Sequence, residues 1–201
     1  MYSKITDNLI ERANKKRKSD VVFLAVVLFI VLVMTVIITL NTYVFFNVVV
    51  DGRSMNPTLK SGDVLVANRH FEVKRGDIIV IDGEKQNGKG GYDWLIKRAI
   101  AFEGDTVEIK GGRVIINGQV LVEDYLAENC YTHEYDWKTR TLKSGEVFYL
   151  GDNRTNSEDS RRSYGTCQKE QIVGVVENWS LSIRWLNAIF YDVGNFIRGG
   201  N

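Results

Sequence analysis

Residues 21–40, VVFLAVVLFIVLVMTVIITL, contain no charged side chain. Twenty helical residues span about 30 Å, the thickness of a bilayer's hydrocarbon core. A surface or core helix of a water-soluble body would show a polar stripe, and this run has none. The apolar part of a cleavable leader covers about 7–15 residues and ends at a small-residue site. Here the run passes into Asn41, Thr42, Tyr43, Val44, Phe45 and Phe46 without such a site. The expectation is one membrane-spanning helix at 21–40, preceded by a basic tail (1–20) and followed by a folded body (41–201).

The flanks predict an orientation. Lys4, Arg12, Lys15, Lys16, Arg17 and Lys18 precede the run, and Arg53 is the first basic residue after it. By the positive-inside rule the amino terminus lies in the cytoplasm and the body outside. The first twenty residues hold six of the 26 basic side chains and three of the 25 acidic ones, leaving 20 against 22. A nearly neutral body has no field for gathering phosphates, so nucleic acid is excluded as a partner. Cys130 and Cys167 lie where a disulfide is chemically allowed, but sequence does not say whether they meet. Neither has metal-site spacing and the only histidines are His70 and His133, so no metal or other cofactor is expected.

From residue 44 the chain reads as short β runs separated by glycine: 44–50, 64–68, 77–81, 94–102, a meander over 106–124, then 146–150 and 171–178. Gly111-Gly112 and Asn117-Gly118 suit tight hairpins because they accept positive φ. Residues 86–93, QNGKGGYD, read as a flexible loop. The fold class is therefore mostly β, an antiparallel body behind one transmembrane helix. Toward the end, Ile183, Leu186, Ile189, Phe190, Val193, Phe196 and Ile197 recur at helical steps. That segment either closes the core or lies in the membrane interface, with Trp185, Arg184 and Arg198 at the headgroups.

Three stretches carry candidate chemistry. The first is DGRSMNPTL, residues 51–59, which holds the chain's only proline. Pro57 fixes its own φ and restrains the residue before it, so a turn there presents Ser54 in one geometry. A serine nucleophile needs a base active near neutral pH. His70 and His133 lie in stretches that read as surface. A lysine serves only if desolvation lowers its pKa, and Lys97 is the candidate. It is flanked by Trp94, Leu95, Ile96, Ala99, Ile100, Ala101 and Phe102 in the most apolar strand outside the span. Strand alternation places Lys97 with Leu95 and Ala99, opposite Ile96 and Arg98. The third stretch, GDNRTNSEDSRRS at 151–163, is a polar loop. In it Asp152, Arg154, Asp159 and Arg161 can pair, and Ser157 and Ser160 can serve an amine.

SMNPTL, then IKRAIAFEGD, then GDNRTNSEDSR, in that order behind one anchor, resembles type I signal peptidase, the serine–lysine family, in its single-span Gram-positive form. The resemblance covers essentially the whole chain. It implies an antiparallel β body resting on the membrane that removes signal peptides from secreted preproteins through an acyl-enzyme. By matching positions, Ser54 is the nucleophile and Lys97 the general base. Ser157 orients the lysine amine, Asp159 and Arg161 form a supporting salt bridge, and Asp152 and Arg98 lie near the site. The substrate binds as an extended strand between residues 51–53 and 93–96, which brings Gly52, Arg53, Met55, Leu95 and Ile96 into the binding set. The implied partners are preproteins and the lipid bilayer; oligomeric state is not legible.

Two positions depart from the family's pattern. Gly52 stands where some relatives carry a serine that helps bind the oxyanion, leaving the Ser54 N–H without a clear second donor. Phe102-Glu103-Gly104-Asp105 replaces Leu-Pro-Gly-Asp, away from the chemistry. A self-cleaving repressor shares the dyad but would carry a DNA-binding domain instead of a span. A eukaryote-like signal peptidase would carry histidine in place of Lys97. An inactive, membrane-tethered peptide-binding module of the same fold is the alternative.

Overall fold

The computed structural model describes residues 2–70, 72–83 and 94–197. It divides into two units, residues 1–43 and 44–201. The first is a helix, α1 (Tyr2–Val44). Its stretch Lys15–Thr39 is long and apolar enough to cross a membrane, with none of that window buried. Thr35 and Thr39 donate their hydroxyls to the carbonyls four residues back, at 2.8 Å. Their polar groups are thereby satisfied without water, as a lipid environment demands. The helix also runs through the basic tail, whose lysines, arginines and leucine are good helix formers.

Among the described residues the second unit has eleven strands: β1 (Phe45–Val49), β2 (Val64–Asn68), β3 (Ile78–Asp82), β4 (Trp94–Ala101), β5 (Thr106–Lys110), β6 (Arg113–Ile116), β7 (Gln119–Val120), β8 (Arg140–Thr141), β9 (Glu146–Leu150), β10 (Cys167–Gln168) and β11 (Ile172–Val176). Seven form one sheet in the order β1-β2-β11-β3-β4-β9-β10, and four form a second, β7-β6-β5-β8. Every pairing is antiparallel. The hairpins predicted at 111–112 and 117–118 are present, with φ of 59° and 77° at the first and 53° and 80° at the second. The meander stops at Val120 rather than 124. Strands β8 and β10 were not foreseen, because two residues are too few to show alternation.

The larger sheet is buried on both faces. Along β3, Ile78 and Val80 join Val48, Met55, Leu59, Leu65, Ile96 and Val176 on one side. Ile79 and Ile81 join Leu95, Ala99, Tyr149 and Val175 on the other. This is why β3 and β4 read as continuous apolar runs rather than alternating ones. The small sheet packs Val107, Ile109, Val114 and Ile116 against Ile100, Ala101, Phe148 and Leu150 at the far ends of β4 and β9. Gly174, at a bulge in β11, leaves room for a ring: a Cβ there would lie 2.6 Å from Phe46.

Two helices follow β11: α2 (Asn178–Ser182) and α3 (Arg184–Ile197). The helical period was legible, and α3 packs on β2. Asn187 turns inward and donates to the Val64 and Ser180 carbonyls at 3.2 Å, while Trp185 and Ile189 face outward. Residues 86–93, read as a loop, lie outside the described residues, as do Asp93 and Arg198. Cys130 and Cys167 are free thiols.

The architecture brings three stretches together. Residues 51–59 form the tip of the β1–β2 hairpin. Lys97 sits mid-strand in β4, paired with Ile79 of β3. Residues 151–163 leave the end of β9, the neighbour of β4 on its other side.

Candidate active site

The hairpin tip is anchored from beneath by apolar burial. Met55 and Leu59 are 2% and 0% exposed, and burying side chains of this size contributes roughly 1.5–3 kcal/mol each. A helical turn between them is closed by the Leu59 N–H donating to the Met55 carbonyl at 2.9 Å. Ser54, one residue earlier, is thereby lifted to a half-buried position. Pro57 follows in the same turn, after a cis Asn56–Pro57 bond.

The polar loop holds the tip from above. The Asn153 N–H donates to the Ser54 carbonyl at 2.9 Å, and Asn153 Nδ2 to the Arg53 carbonyl at 3.1 Å. Thr58 donates to Asp152 Oδ2 at 2.5 Å. From α3, Arg184 donates to the Thr58 carbonyl at 3.0 Å and to Asp63 at 2.7 Å. Gly151 permits the close approach: a Cβ there would fall 2.2 Å from Ser157 Oγ and 2.5 Å from the Ser54 carbonyl.

Lys97 is 5% exposed. Its Nζ donates to Ser54 Oγ at 2.8 Å and to the Ile96 carbonyl at 3.0 Å. Burial lowers its pKa from 10.5 to about 8, against the opposing pull of the Asp159, Glu158 and Asp152 charges. The two functional candidates of the sequence thus touch. His70 and His133 are both exposed, and His133 stacks between Tyr131 and Tyr135 rather than near Ser54.

The supporting residues form two buried ion pairs. Asp159 and Arg161 are fully buried and doubly bonded, Nε to Oδ1 at 2.8 Å and Nη2 to Oδ2 at 2.9 Å. The pair is tied into the loop by the Gly151 N–H on Asp159 and by Arg161 on the Arg154 carbonyl. Arg98 meets Asp152 through Nε at 2.8 Å and Nη2 at 2.5 Å. Because Thr58 shares the same carboxylate, Asp152 joins the strand of Lys97 to the turn of Ser54.

Ser157 differs from expectation. Its hydroxyl is buried but, among the described residues, has no hydrogen-bond partner. The bond to Lys97 that the resemblance implies is not formed, because the amine is turned to Ser54 and the Ile96 carbonyl. Gly52 has φ of +90° and gives its N–H to Ser61 Oγ at 3.3 Å.

A network that sequence reasoning missed lies behind the loop. Arg154 is fully buried and bonded to Glu123, to Thr132 at 2.6 Å and to the Gly151 carbonyl at 3.2 Å. Tyr125 donates to Glu123 at 2.5 Å and lays its ring 3.8 Å from the Arg98 guanidinium. Burial first, then the Glu123 charge, pushes its phenol pKa up. Glu123 and Tyr125 stand about thirty residues from their partners in a turn-like stretch, where no local pattern marks them. Thr58 was legible in principle, since it belongs to SMNPTL.

An open groove of about 690 Å³ runs past Ser54 and Lys97. Its walls include Val48 and Val50 of the β1 region, Gly52, Arg53 and Met55 of the turn, and Trp94, Leu95 and Ile96 of β4. All five residues expected to bind substrate line it. Among the described residues, no group of three or more histidine, cysteine, aspartate or glutamate side chains could hold a metal ion.

A β body of this topology behind one apolar helix, with a serine and a buried lysine in contact on a strand-lined groove, defines a class. The chain belongs to the signal peptidases: the family described as "Signal peptidase, peptidase S26" matches residues 23–180. Among curated relatives, a signal peptidase I of Bacillus amyloliquefaciens is 36% identical over 175 residues, 82% of this chain and 90% of that one. Signal peptidase I T of Bacillus subtilis (strain 168) is 37% identical over 143 residues, 66% of this chain and 72% of that one. A crystal structure of a signal peptidase I from Enterococcus faecalis V583 is similar at 30% identity and a TM-score of 0.43, covering 53% of this chain and 98% of that one.

Proposed function

We propose that this protein is a membrane-anchored serine endopeptidase that removes signal peptides from secretory preproteins, with Ser54 as nucleophile and Lys97 as general base. The observation that carries the reading is the 2.8 Å contact between Ser54 Oγ and an amine whose pKa burial lowers to about 8. At that value a useful fraction of the amine is neutral near physiological pH, which an ordinary lysine at about 10.4 does not achieve.

In the proposed reaction an extended preprotein segment lies in the groove. It presents its scissile carbonyl to Ser54, with Met55, Leu95, Ile96, Gly52 and Arg53 around it. Neutral Lys97 takes the hydroxyl proton as Oγ bonds to the carbonyl carbon. The developing oxyanion is met by the Ser54 N–H. The proton then passes to the leaving amine, the C–N bond breaks, and the amino-terminal fragment remains as an ester on Ser54. Lys97 next takes a proton from water, the resulting hydroxide attacks the ester, and Ser54 is regenerated. Asp152–Arg98 and Asp159–Arg161 keep strand, loop and turn in register. The Ser157 hydroxyl, unpartnered in this structure, is assigned to receive the amine when Lys97 turns from Ser54 during turnover. A buried hydroxyl without a partner costs about 1–3 kcal/mol, a cost that a role during turnover would explain.

Incubating the detergent-solubilised protein with a preprotein tests this reading. Two fragments cut at the signal-peptide junction are expected, and none from Ser54→Ala. An intact preprotein under both conditions would favour the inactive binding module.

The same reading places the amino terminus in the cytoplasm and the peptidase body outside, from the basic residues ahead of α1's apolar stretch. Protease added to right-side-out vesicles is expected to digest the body and spare the first twenty residues. Protection of the body would reverse the orientation.

A further inference from the structure

The groove carries more charge than the dyad uses. Its charged lining residues are Asp51, Arg53, Lys97 and Glu158. With Lys97 neutral, as the proposed reaction requires, two acids face one base. Of the two lining acids, Glu158 is the one whose charge acts on Lys97. It stands between Ser157 and Asp159, both buried, so its backbone is held while its own side chain stays 54% exposed. Asn156 and Tyr164 also line the groove.

Glu158 has a partner, Arg162, four residues on at 3.2 Å. An exposed pair of this kind contributes little. Arg162 also lies 3.9 Å from the centre of the Tyr135 ring, a contact it keeps if Glu158 turns toward the groove. The carboxylate is therefore free to exchange partners.

We propose that Glu158 is a specificity-determining residue that favours preproteins carrying lysine or arginine in the first two residues after the scissile bond. The inference rests on the peptidase reading above and deepens it. A substrate cation against Glu158 gains an ion pair in the groove. It also stands close enough to Lys97 to oppose protonation of the amine, which keeps the base in its working form. An acidic residue at the same place meets like charge and helps Lys97 hold its proton.

The test uses the full-length protein in detergent and synthetic peptides with a small-residue cleavage site. The peptides differ only in carrying Lys, Ala or Glu at the first or the second residue after the cut, which leaves the small-residue site ahead of it intact. For at least one position the parent is expected to rank Lys above Ala above Glu in kcat/KM. The Lys-to-Glu ratio should be roughly three- to five-fold, the size of one exposed ion pair, and should shrink as salt is added. Glu158→Gln is expected to bring the ratio close to one and Glu158→Lys to invert it. Glu158→Gln should also move the acid limb of the pH profile to lower pH, because one of the charges holding the Lys97 proton is gone. An unchanged ratio in Glu158→Gln, or no charge preference in the parent, overturns the proposal. If the parent cleaves none of the peptides or preproteins, the peptidase reading fails and this proposal falls with it.

Discussion

Lys97→Ala is expected to remove nearly all turnover, by at least about 10³-fold, while the protein folds as before; Ser54→Ala is expected to do the same. The fold survives because the buried Lys97 amine donates only to Ser54 Oγ and the Ile96 carbonyl among the described residues, and no carboxylate is left stranded when it goes. Removing a desolvated amine from such a place relieves a cost rather than adding one. The double variant is expected to be hardly slower than either single one, because a nucleophile without its base and a base without its nucleophile fail in the same step. Rates of preprotein cleavage, compared with thermal melts of each variant, check both halves. Changing His70 and His133 to Gln serves as the control, and turnover should persist. If Lys97→Ala kept cleaving while a histidine variant died, the base would be misassigned.

The second large effect concerns Asp159. Asp159→Ala leaves the Arg161 guanidinium fully buried without the carboxylate that takes two of its bonds. Breaking a buried pair from one side costs roughly 3–5 kcal/mol, which lowers Tm by roughly 10 °C in a chain of this size. Replacing both partners, Asp159→Ala with Arg161→Met, is expected to restore much of that loss, since no charge is then stranded. The single variant should also lower the pH at which activity appears, because the Asp159 charge is the largest of those opposing the shift at Lys97. Thermal melts of the two variants beside the parent settle it. Equal melting of Asp159→Ala and the parent would mean that the loop is held by other bonds.

Much of this site was legible because its parts are local. Ser54 lies in a turn whose anchors, Met55 and Leu59, are its near neighbours in sequence. Lys97 stands out as a single amine in an eight-residue strand that is buried from Leu95 onward. The spacing of Asp159 and Arg161, two residues apart, suffices for a pair. What sequence did not reveal is long-range. The Thr58–Asp152 bond spans 94 residues and Arg184–Thr58 spans 126. The Glu123–Arg154–Tyr125–Arg98 cluster depends on how the turn between β7 and β8 folds back over the loop. The two-residue strands β8 and β10 exist through their partners rather than through their own pattern. Ser157 shows the limit of carrying a role by position: its place in the motif predicts a bond, and the structure gives the bond's two ends other conformations.

The central claim is that a neutral Lys97 is the base. The dependence of kcat/KM on pH tests it most directly. Below the amine's pKa the neutral fraction rises tenfold per pH unit, so activity should climb with unit slope and level off above about 8. Glu158→Gln and Asp159→Ala should each shift that limb toward lower pH, since each removes a negative charge that favours the ammonium. A limb centred near 6.5 that disappears with a histidine variant, or a rate independent of pH between 6 and 9, would contradict the account.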